Sequence, residues 1–233
     1  MNLIFERQWL HAGILAVLIA LLAIACNLDG MREGMLWGFT TPEWFWLAVA
    51  LPIAHQVFIW FCWRTQLHGR LPERVFGNLS FTVYALCFFI LGALRLLSVF
   101  ALAISNRNTL PFNITALRIA AAIALIPAAY VLYSVARYFS FRRAFGIDHF
   151  EERYRTLPLV REGIFRFARN SMYIYGFLVF WVPALWFASI AALCAALFNH
   201  VYIWVHYYAT ELPDMKRIYG ENRLAASRRT YPQ

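Results

Sequence analysis

The sequence predicts an all-α fold: a polytopic helical membrane protein with about six transmembrane helices, a C-terminal helical hairpin and a cytoplasmic tail. Three observations predict it. Of 233 residues, 62% are hydrophobic and only 14% are charged, where a soluble domain carries about 25% charged residues. The mean hydropathy is +0.57. Apolar runs recur at lengths near the roughly 20 residues that a helix needs to cross a bilayer. The arginines also fall almost entirely on one side of those runs.

The first span is expected at 9–27 and the second at 44–63. The third covers 77–104 and the fourth 114–138. The apolar run 172–209 is too long for one span, since at 1.5 Å per residue it would stretch about 57 Å. It is predicted to fold into two helices, with the turn near Ala188 and just after Pro183. A cytoplasmic N-terminus then places 17 Lys and Arg residues inside and two, Arg32 and Arg107, outside. That asymmetry follows the positive-inside rule for an even number of spans. The inside group contains Arg223, Arg228 and Arg229 in the tail. The first apolar segment has a weak basic region, and Ala23-Ile24-Ala25-Cys26 only loosely resembles a lipoprotein cleavage site. A retained first helix is therefore expected. Two regions follow: residues 1–136 as a four-span membrane region, and 137–233 as an interfacial linker, hairpin and C-terminal segment.

The net charge of +9 sets topology and favours contact with anionic lipid head groups; nucleic acid is not expected as a partner. Cys26, Cys62, Cys87 and Cys194 lie in or beside apolar segments without CxxC spacing. They suggest buried thiols, with neither a disulfide framework nor a metal site. Between the fourth and fifth spans, Phe139, Phe141, Phe145, Ile147, Phe150 and Tyr154 alternate with charged residues. This pattern suits a segment lying in the interface, aromatic groups down. Gly146-Ile147-Asp148-His149-Phe150 interrupts it as a turn, with or without function.

Candidate chemistry sits at the two ends of the hairpin. Arg169-Asn170-Ser171-Met172-Tyr173 opens it. Asn170 or Ser171 can cap the fifth span, and a helix N-terminus beside an arginine suits a carboxylate or phosphate. Arg169 could equally be a head-group anchor. Glu211 closes the hairpin, where a helix C-terminus disfavours an acid, so a partner is expected in Arg169 or in a ligand. On a regular helix Glu211, Tyr207, Trp204 and His200 share one face. Arg95 lies deep in the third span, where charge is expensive and marks a functional site by default. Its expected partner is a lipid phosphate, or Glu211 across a wet cavity. His55 and Gln56 are readily explained by hydrogen bonds between helices.

At these residues the chain resembles the integral membrane methyltransferases, a group that includes phosphatidylethanolamine N-methyltransferase and isoprenylcysteine carboxyl methyltransferase. Its members open a helical hairpin with Arg-(His/Asn)-Pro-x-Tyr and close it with one or two glutamates before a short basic helix. The matches are Arg169, Asn170, Tyr173 and Gly176, then Glu211, then Tyr219-Gly220. Arg161-Glu162-Gly163 and Arg142-Arg143-Ala144-Phe145-Gly146-Ile147-Asp148-His149-Phe150 look closest to the phospholipid branch. Ser171 stands where the family usually has Pro, and Thr210-Glu211 where the phospholipid enzymes often have two glutamates. The resemblance spans roughly residues 137–225.

The resemblance implies S-adenosylmethionine as cofactor, with Gly163, Arg169, Asn170, Tyr173, Gly176 and Glu211 binding it. It implies a membrane lipid as acceptor, best an ethanolamine phospholipid amine, with Arg95 and His149 as substrate-binding residues. Glu211 and His206 are the expected catalytic residues, His206 as proton acceptor. A carboxyl methyltransferase, a non-catalytic scaffold of the same fold and a nicotinamide-dependent membrane reductase are the alternatives. The expected location is a bacterial inner membrane or the endoplasmic reticulum.

Overall fold

A computed structural model describes residues 3–220. The tail arginines Arg223, Arg228 and Arg229 therefore lie outside the described residues. The protein is a helical membrane protein, as its composition predicts. Its long helices are α1 (Gln8–Ala25), α2 (Thr41–Gly69), α4 (Ser80–Ser105), α5 (Ile114–Ser134) and α9 (Ile190–His206). Short helices α3 (Leu71–Phe76), α6 (Phe141–Ala144), α7 (Ser171–Ile174), α8 (Trp181–Trp186) and α10 (Leu212–Tyr219) complete the set. Five helical stretches are long and apolar enough to cross a membrane, and Ser171–Trp186 is a shorter apolar sixth.

Local chemistry fixes the helix starts. Thr40 and Glu43 form a reciprocal capping box on α2, with Pro42 in its first turn. Such a box satisfies two amide groups that a helix start leaves bare. The Asn113 side chain accepts from the Ala116 amide to open α5, and Ser189 accepts from Ala192 to open α9. Between α1 and α2 stands a small hairpin, Met35–Leu36 against Phe39–Thr40. Its turn, Trp37-Gly38, has positive φ at both residues, the geometry of a tight two-residue hairpin.

The fifth pass in chain order, Ser171–Trp186, is broken. α7 is followed by a 3-10 stretch, Gly176–Phe180, and then α8. A 3-10 turn rises about 2.0 Å per residue against 1.5 Å for an α-helix, so Ser171–Trp186 reaches roughly 27 Å. That nearly matches the hydrocarbon thickness of about 30 Å. Its far end meets the α4–α5 loop, where the Asn108 amide donates to Phe187 O and Thr109 to Ala188 O. Ala188 turns at φ 52, at the predicted position.

α9 is the central helix. Of its span window 61% is buried, against 11% for α1 at the periphery. Ala191, Ala192, Ala195 and Ala196 are each fully buried. Small side chains let neighbouring helices approach closely where lipid supplies no hydrophobic drive. α9 packs on α1, α2, α4 and α8, whereas α5 packs on α8 and the 3-10 stretch and hardly touches α4. That leaves a gap between α4 and α5, although they are neighbours in sequence.

The linker does not lie flat with its aromatic groups in lipid, as its pattern predicts. Phe145 packs on Phe88, Phe150 on Tyr84 and Phe139 on Phe165, and Ile147 is fully buried. The rings find helix ends to bury against, and the arginines cover them: Arg142 lies over Phe81 and Arg143 over Phe139.

Candidate active site at the basic end of the bundle

The linker, the start of the broken helix and the end of α9 converge at the arginine-rich end. α9 does not stop at His206. It widens into a π turn, Tyr207–Glu211, and continues as α10. Single π turns inside helices are frequent at functional sites.

α7 has only four residues, and neither Asn170 nor Ser171 caps it with a side chain. This corrects the expected side-chain cap on the fifth span, which forms only one α-helical turn before the 3-10 stretch. The Ser171 hydroxyl instead donates to Ile164 O at 2.9 Å and to Ala168 O. Ser171 thus restrains the entry by hydrogen bonds, where a proline would restrain it by its ring.

That restraint aims Tyr173 at the π turn. Its phenol donates to the Glu211 carboxylate. The ring is boxed edge-on by Trp204 at 5.9 Å, Tyr207 at 5.8 Å and Phe177 at 6.1 Å. Glu211 therefore has a partner, but it is Tyr173 and not Arg169. Trp204, Tyr207 and Glu211 do meet around Tyr173, whereas His200 is one level deeper, accepting from Trp181 Nε1 at 3.1 Å.

Two hollows meet at this point. A cleft of about 120 Å³ is lined by Arg161, Arg169, Asn170, Tyr173, Tyr207 and Glu211, with Phe139, Phe165 and Met215 beside them. A larger apolar cavity of about 570 Å³ extends into the bundle, past His206, His55 and Gln56 to Arg95. Met172 and Tyr173 line both and form the partition between them.

Gly163 and Gly176 do not line the cleft. Gly163 has φ +63, and a Cβ there would lie 2.6 Å from Ser134 Oγ. Ser134 Oγ also accepts the Ile164 amide at 3.0 Å. Only glycine lets the loop approach α5 so closely. Gly176 packs on Val131 of α5 and lines the larger cavity.

His149 lies outside both hollows, in a buried ionic cluster with Asp148 and Asp214. Its Nδ1 is 3.0 Å from Asp148 Oδ1, and its Nε2 is 3.7 Å from Asp214 Oδ2. Trp63 stacks on its ring at 4.1 Å. Asp214 also takes Arg64 Nε at 2.8 Å, with both side chains fully buried. Tyr219 donates to Asp148 Oδ2 at 2.6 Å. Arg64 and Arg217 reach Glu6 at 3.5 and 2.5 Å. Three acids thus face three bases, tying the N-terminal segment, α2, the linker and α10 together.

Burial disfavours the charge on His149, yet Asp148 and Asp214 hold its pKa up to about 9. Burial likewise opposes ionisation of Asp148, but bonds from His149 and Tyr219 keep its pKa below the usual carboxylate value. None of Arg64, Asp148 or Asp214 stood out in the sequence as a site residue. The one available signal was a charge at the very end of an apolar run, for Arg64.

The cleft suits S-adenosylmethionine by its donor set. Among the described residues Arg161 and Arg169 make no ion pair, leaving two guanidinium groups for a carboxylate. Glu211 offers an acceptor to an ammonium or a ribose diol, and Tyr173, Tyr207, Phe139 and Phe165 offer ring faces.

Residues 116–222 match the model of the phospholipid methyltransferase family. Comparison with curated proteins and with solved structures gave no match. The matched stretch begins in α5 and holds Arg169, Tyr173 and Glu211. Arg64, His55 and Arg95 lie outside it.

Proposed function

We propose that this chain is an S-adenosylmethionine-dependent methyltransferase of membrane lipids, with the amine of an ethanolamine phospholipid as its acceptor. One observation carries the reading: a cleft bearing Arg161, Arg169 and Glu211 and a separate apolar cavity share the wall Met172–Tyr173, and Tyr173 is tied to Glu211 at that wall. The family match over 116–222 supports it. The positive-inside asymmetry supports a cleft at the cytoplasmic face, and the apolar lining toward the gap between α4 and α5 supports a cavity mouth in lipid.

S-adenosylmethionine, when bound, supplies an electrophilic methyl on a sulfonium. The residues of the chain hold and align. Arg161 and Arg169 hold the cofactor's carboxylate, and Glu211 takes its ammonium or ribose hydroxyls. Tyr173 and Tyr207 line the cleft and would offer aromatic surface to the cationic sulfonium. Alignment of nucleophile and methyl at about 3–3.5 Å contributes most of the catalysis expected for a displacement of this kind.

The acceptor amine must lose a proton before its lone pair can form the new N–C bond as the C–S bond breaks. We assign that task to His206. It is 2% exposed, lines the acceptor cavity, and neither ring nitrogen has a hydrogen-bond partner. Glu211 serves the cofactor side of the wall.

Calorimetric titration of detergent-purified protein with S-adenosylhomocysteine tests the reading, with Glu211→Gln as the control. Micromolar binding that the variant loses, followed by radiolabelled methyl transfer into ethanolamine phospholipid, is the expected result. A folded wild-type protein that binds no S-adenosylhomocysteine, with or without lipid, overturns it.

A further inference from the structure

Arg95 is 3% exposed and lies far from either end of α4. Fifteen residues precede it in that helix and ten follow, placing it about 22 Å from one end and about 15 Å from the other. No carboxylate lies within 4 Å of it among the described residues. Its polar partners are the Asn199 side-chain oxygen and, at 3.4 Å, Asn199 O. Its guanidinium also lies 5.0 Å from each of the Phe177 and Phe180 rings. Amide and ring contacts do not neutralise the charge. A buried cation without a counter-charge is costly in a membrane interior, which is why such residues serve function.

Arg95 is not alone in facing the cavity with unmet polar capacity. His55 and Gln56 of α2 are 4% and 1% exposed. Both ring nitrogens of His55 and the Gln56 side-chain oxygen lack partners. Gly92 of α4 faces the same ring, where a Cβ would lie 3.6 Å from it in ordinary contact. The remaining lining is overwhelmingly apolar, and Leu125, Ala128 and Leu132 lead out along α5 toward the gap beside α4. The cavity therefore has a polar inner pole bearing one net positive charge, and an apolar exit into lipid.

We propose that Arg95 recognises the phosphate of the acceptor lipid. The phosphodiester sits at Arg95, with His55 and Gln56 completing its polar surroundings, and the acyl chains leave between α4 and α5. This rests on the methyltransferase reading for its orientation: the amine then points toward His206 and Tyr173. Phe177 spans that distance, its ring 5.0 Å from the Arg95 guanidinium and 6.1 Å from the Tyr173 ring. Anion selection thus comes from the half of the chain that the family model does not match.

Native mass spectrometry of the purified full chain tests this directly. The probes are dioleoyl phosphatidylethanolamine, dioleoylglycerol and inorganic phosphate, each titrated separately. Wild-type protein is expected to bind the phospholipid at least roughly ten-fold more tightly than the diacylglycerol, the worth of one charge-assisted contact. Arg95→Gln is expected to lose that preference and Arg95→Lys to keep part of it. Equal binding of both lipids by wild type overturns the proposal, whether or not either variant folds. So does an Arg95→Gln protein that retains the preference. Inorganic phosphate that displaces the phospholipid at millimolar concentration also overturns it, by showing a free-anion site. Binding of S-adenosylhomocysteine is measured on the same samples. Its absence alongside a retained phospholipid preference removes the methyltransferase reading and leaves the phosphate site standing.

Discussion

Asp214→Asn is the most informative perturbation of the cluster that holds α10 in place. It removes the carboxylate that faces Arg64 at 2.8 Å and His149 at 3.7 Å. Two buried cations then share a site with Asp148 and the half-buried Glu6 alone. Breaking a buried pair by deleting one partner costs about 3–5 kcal/mol. For a chain of this length that is roughly a 10 °C fall in melting temperature. The loss also depends on pH. His149 has its pKa raised to about 9, so its contribution to stability is complete below its ordinary value of about 6.5 and is lost as pH rises through about 9. Without Asp214, His149 releases its proton at a lower pH, and the variant escapes part of the penalty. The gap to wild type therefore narrows between pH 6 and pH 9.5. Thermal unfolding in detergent at both pH values reads this. A variant within 2 °C of wild type at pH 6, or a gap that widens with pH, refutes the reasoning.

Three further outcomes are expected. Tyr173→Phe keeps the ring and loses the hydrogen bond to Glu211, so radiolabelled methyl transfer should fall roughly ten-fold while the melting temperature falls by only a few degrees. Arg169→Ala should weaken S-adenosylhomocysteine binding roughly ten-fold or more in calorimetry, without altering lipid binding. Gly146→Ala should destabilise by at least about 2 kcal/mol in thermal unfolding: at φ +80 a side chain is strained, and its Cβ would meet the Trp63 ring at 2.4 Å.

The spans were legible because length and hydropathy are local properties, and α2, α4 and α5 begin close to where their polar flanks place them. The hairpin turn was legible too, since 38 apolar residues cannot cross once. The break at Gly176–Phe180 was not, because an apolar run reads the same whether its turns are tight or regular. Nor could Gly163 and Gly176 be told from ligand-cradling glycines, because what crowds them is α5, about 30–45 residues away in sequence. Arg64 read as a topology signal. Its partner Asp214 is 150 residues distant, and only packing reveals that the two meet. Arg95 was conspicuous by depth alone, but its partner was not, and Asn199 emerged only with the helices assembled.

The division of labour between the halves follows from those pairings. The family-matched stretch supplies Arg169, Tyr173 and Glu211, yet it cannot complete its own site. Asp214 within it is neutralised by Arg64 of α2, and the small-residue face of α9 is buried by α1, α2 and α4. Gly146 within it closes on Trp63 of α2. The pole of the lipid cavity is built from α2 and α4, through His55, Gln56 and Arg95. Positioning of the π turn therefore depends on helices outside the matched segment, and so does the proposed recognition of the lipid phosphate. His55, Gln56 and Arg95 touch the cavity and not the cleft, so on the proposed reading substitutions there are expected to change lipid preference while S-adenosylhomocysteine binding is retained.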